Sequence, residues 1–223
     1  GKTELANLKI ASSGTVQADG HVTFENGLLA VDLKGALPEI GKLLADARGA
    51  AQFRATIQGE PSALAIDATV ETAKAELAGR TLTDLSLNAK GVADRSAPQA
   101  TLKASGTLDK QKLAIDADLI SENGITRLPK LLATVGRNRL EGALAFSPSF
   151  APSGQLTFDI PDLSLFAALA GQRAEGDLKG AIALSTNAGI MQAKISATGS
   201  GIRRDDLSIV KPVVDLTVDD LAA

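Results

Sequence analysis

Apolar and polar residues alternate along most of this chain. Val16, Ala18, Val22 and Phe24 hold every second position apart from Gly20, with Gln17, Asp19, His21 and Thr23 between them. Asn26-Gly27 reads as a tight hairpin turn, after which Leu29, Val31 and Leu33 resume the beat against Asp32 and Lys34. It recurs in Phe53, Ala55 and Ile57, in Leu64, Ile66, Ala68 and Val70, and in Leu85 and Leu87. Farther along come Leu102 and Ala104, then Leu113, Ile115 and Ala117, Leu144 and Phe146, and Leu156 and Phe158. The last groups are Ile182 and Leu184, Ala193 and Ile195, and Val214 and Leu216. A period of two places these side chains on one face of a sheet. The connections are short and carry Gly, Asn, Asp or Pro, as hairpins require. The expected fold is mainly β, a long antiparallel meander of about a dozen strands.

Three segments break the beat. Residues 38–45 (PEIGKLLA), 128–135 (LPKLLATV) and 161–170 (PDLSLFAALA) each place Pro at or near the start and Leu or Ile at helical spacing. Three short helices are therefore expected. A helix of two or three turns is marginal alone in water, so each should pack on the sheet, at its rim or over its apolar face. An internal repeat is also expected, between residues 37–91 and 161–220. Each stretch opens on a Leu-rich short segment, runs from a Gly (Gly49 and Gly176) through paired alternating strands and reaches Asp-Leu-Ser, at 84–86 and 206–208.

A dozen strands spaced ~4.8 Å apart make a ribbon about 55 Å wide. One face of it is apolar almost throughout, far more than a monomer leaves to water. That face is rich in alanine, which fills space poorly, so the sheet is expected to curve into a groove whose interior stays incompletely filled. The larger members of the face are its expected lining: Val31, Leu33, Phe53, Ile57, Leu64, Ile66, Val70, Leu85, Leu87, Leu102, Leu113, Ile115, Leu144, Phe146, Leu156, Phe158, Ile182, Leu184, Ile195, Val214 and Leu216. An acyl chain suits such a wall, since burying each CH₂ contributes ~0.8 kcal/mol and needs no polar partner. A specific small-molecule pocket would instead show converging polar groups, and none emerges.

Composition sharpens the picture in a few places. Aromatics are 3% of 223 residues, with neither Trp nor Tyr, so the apolar mass is Ala, Leu, Ile and Val and favours a thin smooth surface over a thick core. The same lack argues against a membrane barrel, which wears aromatic girdles, and against a carbohydrate-binding sandwich. The net charge of −3 speaks against nucleic acid. No apolar run approaches the ~20 residues of a spanning helix, 163–171 being the strongest candidate. There is no Cys, which excludes disulfides and thiolate metal sites. The chain opens on Gly1-Lys2 and is expected to be a single β-groove segment, 1–223, of a longer repetitive protein.

The Leu-rich short segment followed by Gly (LSLFAALAGQRAEG, 163–176) leads into GDLKGAIALSTNAGIMQAKISATGSGIRRDDLSIVKPVVDLTVDDL (176–221). Together with the similar GAAQFRATIQGEPSALAIDATVETAKAELAGRTLTDLSLNAKG (49–91), this resembles the TamB/AsmA-like family of long envelope proteins. The resemblance implies a β-taco or groove-shaped sheet and a periplasmic location. It also implies an inner-membrane anchor elsewhere in the full chain, and phospholipid carriage between inner and outer membranes. Help in assembling outer-membrane proteins with a barrel partner, through strand edges, is the alternative it brings. It supplies no catalytic residue and no cofactor.

Other candidate chemistry has a plainer explanation. His21, the only histidine, falls on the polar parity with no second His or Cys for a zinc shell. Asp116 and Asp118 lack the Gly and Glu of a calcium loop and read as alternate residues of the solvated face. Asp205-Asp206 and Asp219-Asp220 point to opposite faces if extended, a poor geometry for sharing a proton. Arg137, Arg139, Arg203 and Arg204 fit ordinary solvation better than headgroup contact at a rim. Gly199-Ser200-Gly201 lies between strands, not in a strand–loop–helix phosphate cradle. No nucleophile–base set can be assembled, so no enzymatic activity is expected.

Overall fold

The computed structural model describes residues 2–12, 16–94, 96–169, 172–187, 190–204 and 206–219, in two units, Gly1–Leu113 and Ala114–Ala223. The first holds strands β1 (Lys2–Ser12), β2 (Val16–Glu25) and β3 (Leu28–Leu37), a single 3₁₀ turn (Ile40–Lys42), and β4 (Ala47–Gly49). It continues with β5 (Ala51–Glu60), β6 (Ala63–Leu77), β7 (Arg80–Asp94) and β8 (Gln99–Leu108). Strand β9 (Gln111–Glu122) carries the division. The second unit has β10 (Ile125–Val135), β11 (Asn138–Phe146), β12 (Pro152–Ile160) and one helix, α1 (Leu163–Leu169). Strands β13 (Glu175–Asn187), β14 (Ile190–Arg204), β15 (Leu207–Ile209) and β16 (Val213–Asp219) complete it.

Neighbours in the chain are neighbours in the sheet, as antiparallel hairpins dictate. The order is β1-β2-β3-β5-β6-β7-β8 in the first unit and β10-β11-β12-β13-β14 in the second, where both β15 and β16 pair with β14. The sheet is open: among the described residues β1 pairs only with β2, and β16 only with β14. Two-residue turns set the register. Asn26-Gly27 (φ 51° and 82°), Ala78-Gly79 and Asn123-Gly124 take the doubly positive φ of a turn that matches strand twist.

Of the three expected helices, one forms. In α1, Asp162 Oδ1 accepts the Ser164 amide at 3.1 Å, and Asn138 Oδ1 accepts the Asp162 amide at 3.0 Å. Leu165 is 1% exposed. Residues 38–45 shrink to the Ile40–Lys42 turn, because Leu43 and Leu44 stay exposed and no surface supports a longer helix. Residues 128–135 lie inside β10. The register between β10 and β11 slips between Leu128 and Leu131, so Leu128, Leu131, Ala133 and Val135 share one face. A bulge inserted into a period of two thus imitates helical spacing. Pro129 sits at that bulge, where a missing N–H costs little. With β1, β10 and the three-residue strands β4 and β15, the described residues form sixteen strands where about a dozen are expected.

In the stretches expected to repeat, the 15-residue strands β6 and β14 each pair along one side with a broken strand. The broken strand precedes β6, as β4 and β5, but follows β14, as β15 and β16. Asp84 stands at φ 52° within β7 at a register slip, whereas Asp206 lies just before β15.

At the end of the first unit, Arg80 Nη1 donates to Asp109 Oδ2, and the Thr81 amide donates to Asp109 Oδ1 at 2.9 Å. The Arg80 hydrogen bond, helped by the Thr81 amide, holds the Asp109 carboxyl below its ordinary value of 3.8. A depressed carboxylate stabilises the fold above its unfolded pKa, and that stabilisation is lost as pH falls through the folded value. Asp109→Asn should therefore lower stability at neutral pH and flatten its fall below pH 3.8, which denaturant unfolding at stepped pH would read.

Candidate functional site: the apolar face of each unit

Antiparallel register aligns the apolar positions into rows that run across the strands. In the first unit one row is Val22, Val31, Ile57, Ile66, Gly91 and Ala100. Leu33 and Leu102 stand in the next row, with Ala55, Ala68 and Ala89 between them. Phe53, Val70 and Leu87 form a third, with Gly35 and Ala104 at its flanks. Leu64 lies in a fourth, between Gly59 and Ala93, and Leu85 faces Thr72 beside the Asp84 slip. Leu113 and Ile115 lie on β9, on either side of the division, and both are half-buried.

The second unit repeats the design. Leu156, Ile182, Ile195 and Leu216 share one row with Leu131 and Gly142. Leu144 and Leu184 share the next with Gly154 and Ala193, while Phe158 and Val214 share a third with Gly180 and Ala197. Phe146 pairs with Thr126 and Pro152 at the edge of this face.

The rows are less buried than an ordinary core. Ala18, Ala51, Ala104, Ala193 and Ala197 are buried, while Ala55, Ala68, Ala89 and Ala100 are half-buried like the large side chains around them. Of the twenty-one residues expected to line this face, Phe158 alone is buried, Val214 and Leu216 are exposed, and the rest are half-buried. The chain exposes 13788 Å². A globular monomer of its mass exposes about 9,600 Å², and even two separate compact domains of half that mass would expose about 11,500 Å². Side chains therefore do not seal these faces.

Among the described residues, closed packing gathers at the ends of the rows. In the second unit Asn138, 1% exposed and on the parity of Leu140 and Leu144, anchors the turn into α1 on the apolar side. In the first, Thr72 Oγ1 donates to the Ala50 carbonyl at 2.7 Å, tying the break between β4 and β5 down at the level of the Asp84 slip. Leu82 and Leu108, buried partners across β7 and β8, lie beyond that slip. The sequence reading missed them because the slip shifts the alternation by one. The shift from Leu82 to Leu85, with Asp84 between, was the available signal. Leu128, Leu131 and Ala133 were missed because their segment was read as a helix.

The remaining candidates separate clearly. His21 Nε2 lies 3.5 Å from Glu4 Oε1 on the polar face. Asp116 pairs with Lys130, and Arg139 with Glu141, each on the polar parity of its strand. Arg137, Arg203 and Arg204 are exposed. The Gly199 and Gly201 amides donate to the Pro212 and Val210 carbonyls at 3.0 Å, across the break between β15 and β16. Asp205 and Asp220 lie outside the described residues. Among the described residues no group of three potential metal ligands gathers, and no helix is long and apolar enough to cross a membrane. Comparison with protein-family models, curated proteins and solved structures finds no match to this chain.

Proposed function

We propose that the apolar face of each unit is the wall of a groove that takes the acyl chains of phospholipid. The chain would then be a segment of a TamB/AsmA-like, envelope-spanning protein that carries lipid between inner and outer membranes, in the periplasm and without catalysis. The observation that carries the reading is the open packing of the rows: their large aliphatic side chains stand half-exposed, row after row, where an ordinary core would bury them. A hydrocarbon laid on such rows gains ~0.8 kcal/mol per buried CH₂ and displaces no polar contact. The rows hold no charged group, so a chain can slide along them without losing a specific bond.

A phospholipid bearing a photoreactive group in its acyl tail tests this. Crosslinks should map by mass spectrometry to residues of the apolar parity, such as Val31, Ile66, Ile182 and Leu216. Crosslinks confined to the alternate residues Asp32, Asp67, Ala181 and Asp215, or none above background, would refute it.

One observation favours the second reading, a scaffold that offers strand edges to outer-membrane barrel strands. Leu207 (61% exposed) and Val213 (77% exposed) sit on β15 and β16, whose outer edges have no partner among the described residues. Strand addition there would protect the β16 amides from hydrogen exchange when a barrel substrate is added, and unchanged exchange would remove this reading.

A further inference from the structure

The face opposite the apolar rows shows a second feature in the first unit. Register places Lys9, Asp19, Lys34 and Arg54 side by side in one row across β1, β2, β3 and β5. Lys34 and Arg54 are direct cross-strand neighbours, a like-charge placement that destabilises a sheet. Two other cations of the polar face are placed differently. Lys90 meets Asp67 at 2.7 Å and Lys179 meets Asp159 at 3.7 Å, each with its opposite charge directly across. Lys9, Lys34 and Arg54 form no ion pair among the described residues, although Asp19 lies in their row and Asp32 and Glu71 flank it.

The row also floors two hollows, of 540 and 700 Å³, that share Lys9, Asp19, Lys34 and Arg54 in their walls. The second unit supplies a control. Its hollow of 610 Å³ is lined by Arg139, Glu141, Asp159 and Lys179, and there each cation has its own carboxylate. Each of the first unit's hollows sets three cations against two carboxylates, Asp19 with Glu71 in one and Asp19 with Asp32 in the other.

We infer that this row is an oxyanion site that takes a phosphate group. The Arg54 guanidinium presents a planar fork that can hold two phosphate oxygens, and Lys34 and Lys9 add point charges from about 5 and 15 Å along the row at ~4.8 Å per strand. Their long side chains bridge that span towards one ligand. A bound dianion turns the Lys34–Arg54 repulsion into shared attraction. The site is on the opposite face from the apolar rows, so it stands whether or not those rows carry acyl chains. The phosphate could belong to a lipid headgroup or be free in solution, and the test separates the two.

Inorganic phosphate titrated into the whole chain, followed by amide and Arg Nε NMR shifts, should give saturable changes centred on Lys9, Lys34 and Arg54. Lys34→Gln combined with Arg54→Gln should weaken binding about tenfold or more, while Arg139→Gln combined with Lys179→Gln leaves it unchanged. Phosphatidylcholine vesicles with and without phosphatidic acid form the second arm. Retention that needs phosphatidic acid and is lost with the first pair of substitutions assigns the site to a headgroup, and binding of free phosphate alone assigns it to a soluble ligand. Shifts no larger than chloride gives at equal ionic strength, with no vesicle retention, would overturn the inference, as would equal binding by the Lys34/Arg54 variant.

Discussion

Leu165→Ala should lower the unfolding free energy of the second unit by about 3 kcal/mol, the ordinary cost of emptying a filled apolar site. Among the described side chains of α1, Leu165 is the large apolar one that is shut away from water. Ile182→Ala, by contrast, should cost only about 1 kcal/mol, because that side chain is half-exposed and leaves no enclosed cavity. Urea unfolding of the two variants decides the matter. Equal costs would mean that the apolar face is packed as an ordinary core.

The second large effect falls at Gly35 on β3, where backbone and ring atoms leave no room for a side chain. A methyl group added to Gly35 would run into the Gln17 carbonyl and lie 2.8 Å from Cε1 and Cζ of Phe53. The aromatic ring lies over the glycine on the neighbouring strand, in the row that Phe53 shares with Val70 and Leu87. Gly35→Ala should therefore cost about 2 kcal/mol, as overpacking does, through a displaced ring or a shifted β2. Phe53→Leu should recover part of that loss by freeing the space. A fully additive pair of substitutions, or a change below about 0.5 kcal/mol for Gly35→Ala, would show that the ring does not pack on Gly35.

The strands were legible because a sheet with one apolar face writes its register directly into the chain. Val31, Ile57 and Ile66 lie far apart in sequence, yet their shared parity and the short turns between them suffice to place them in one row. Asn26-Gly27 was equally plain, since few dipeptides accept two positive φ angles. The illegible parts are those where alternation fails for a local reason. A slip at Leu128–Leu131 turns a period of two into an apparent helix, and only the proline in its midst hints otherwise. Asp84 does the same to β7 and so hid Leu82 and Leu108. Short helices are harder still. Residues 38–45 and 163–169 have similar patterns, but whether a helix survives depends on a docking surface contributed by distant strands, such as Asn138 supplies for α1.

The apolar lining was readable as a face, but not in its depth. Sequence parity puts Ala197 and Val214 on the same side, whereas only the register reveals that alanine is the buried member of the pair and valine the exposed one. The cationic row of the first unit was not readable at all. Lys9, Lys34 and Arg54 are ordinary polar-parity residues in sequence, and they become neighbours only through pairings that span β1 to β5.

The most direct measurement is the amount of phospholipid that stays with the folded chain after purification from lipid-containing cells, compared with Ile66→Asp and Ile182→Asp. Each substitution places a carboxylate in the middle of a row, on a side chain exposed enough for the fold to survive, as circular dichroism should verify. If the faces hold acyl chains, lipid should accompany the native chain and fall by about tenfold in the two variants together, since a charge on an apolar contact surface costs well over 1.4 kcal/mol. Folded variants that retain as much lipid as the native chain, or a native chain that carries none, would contradict the account.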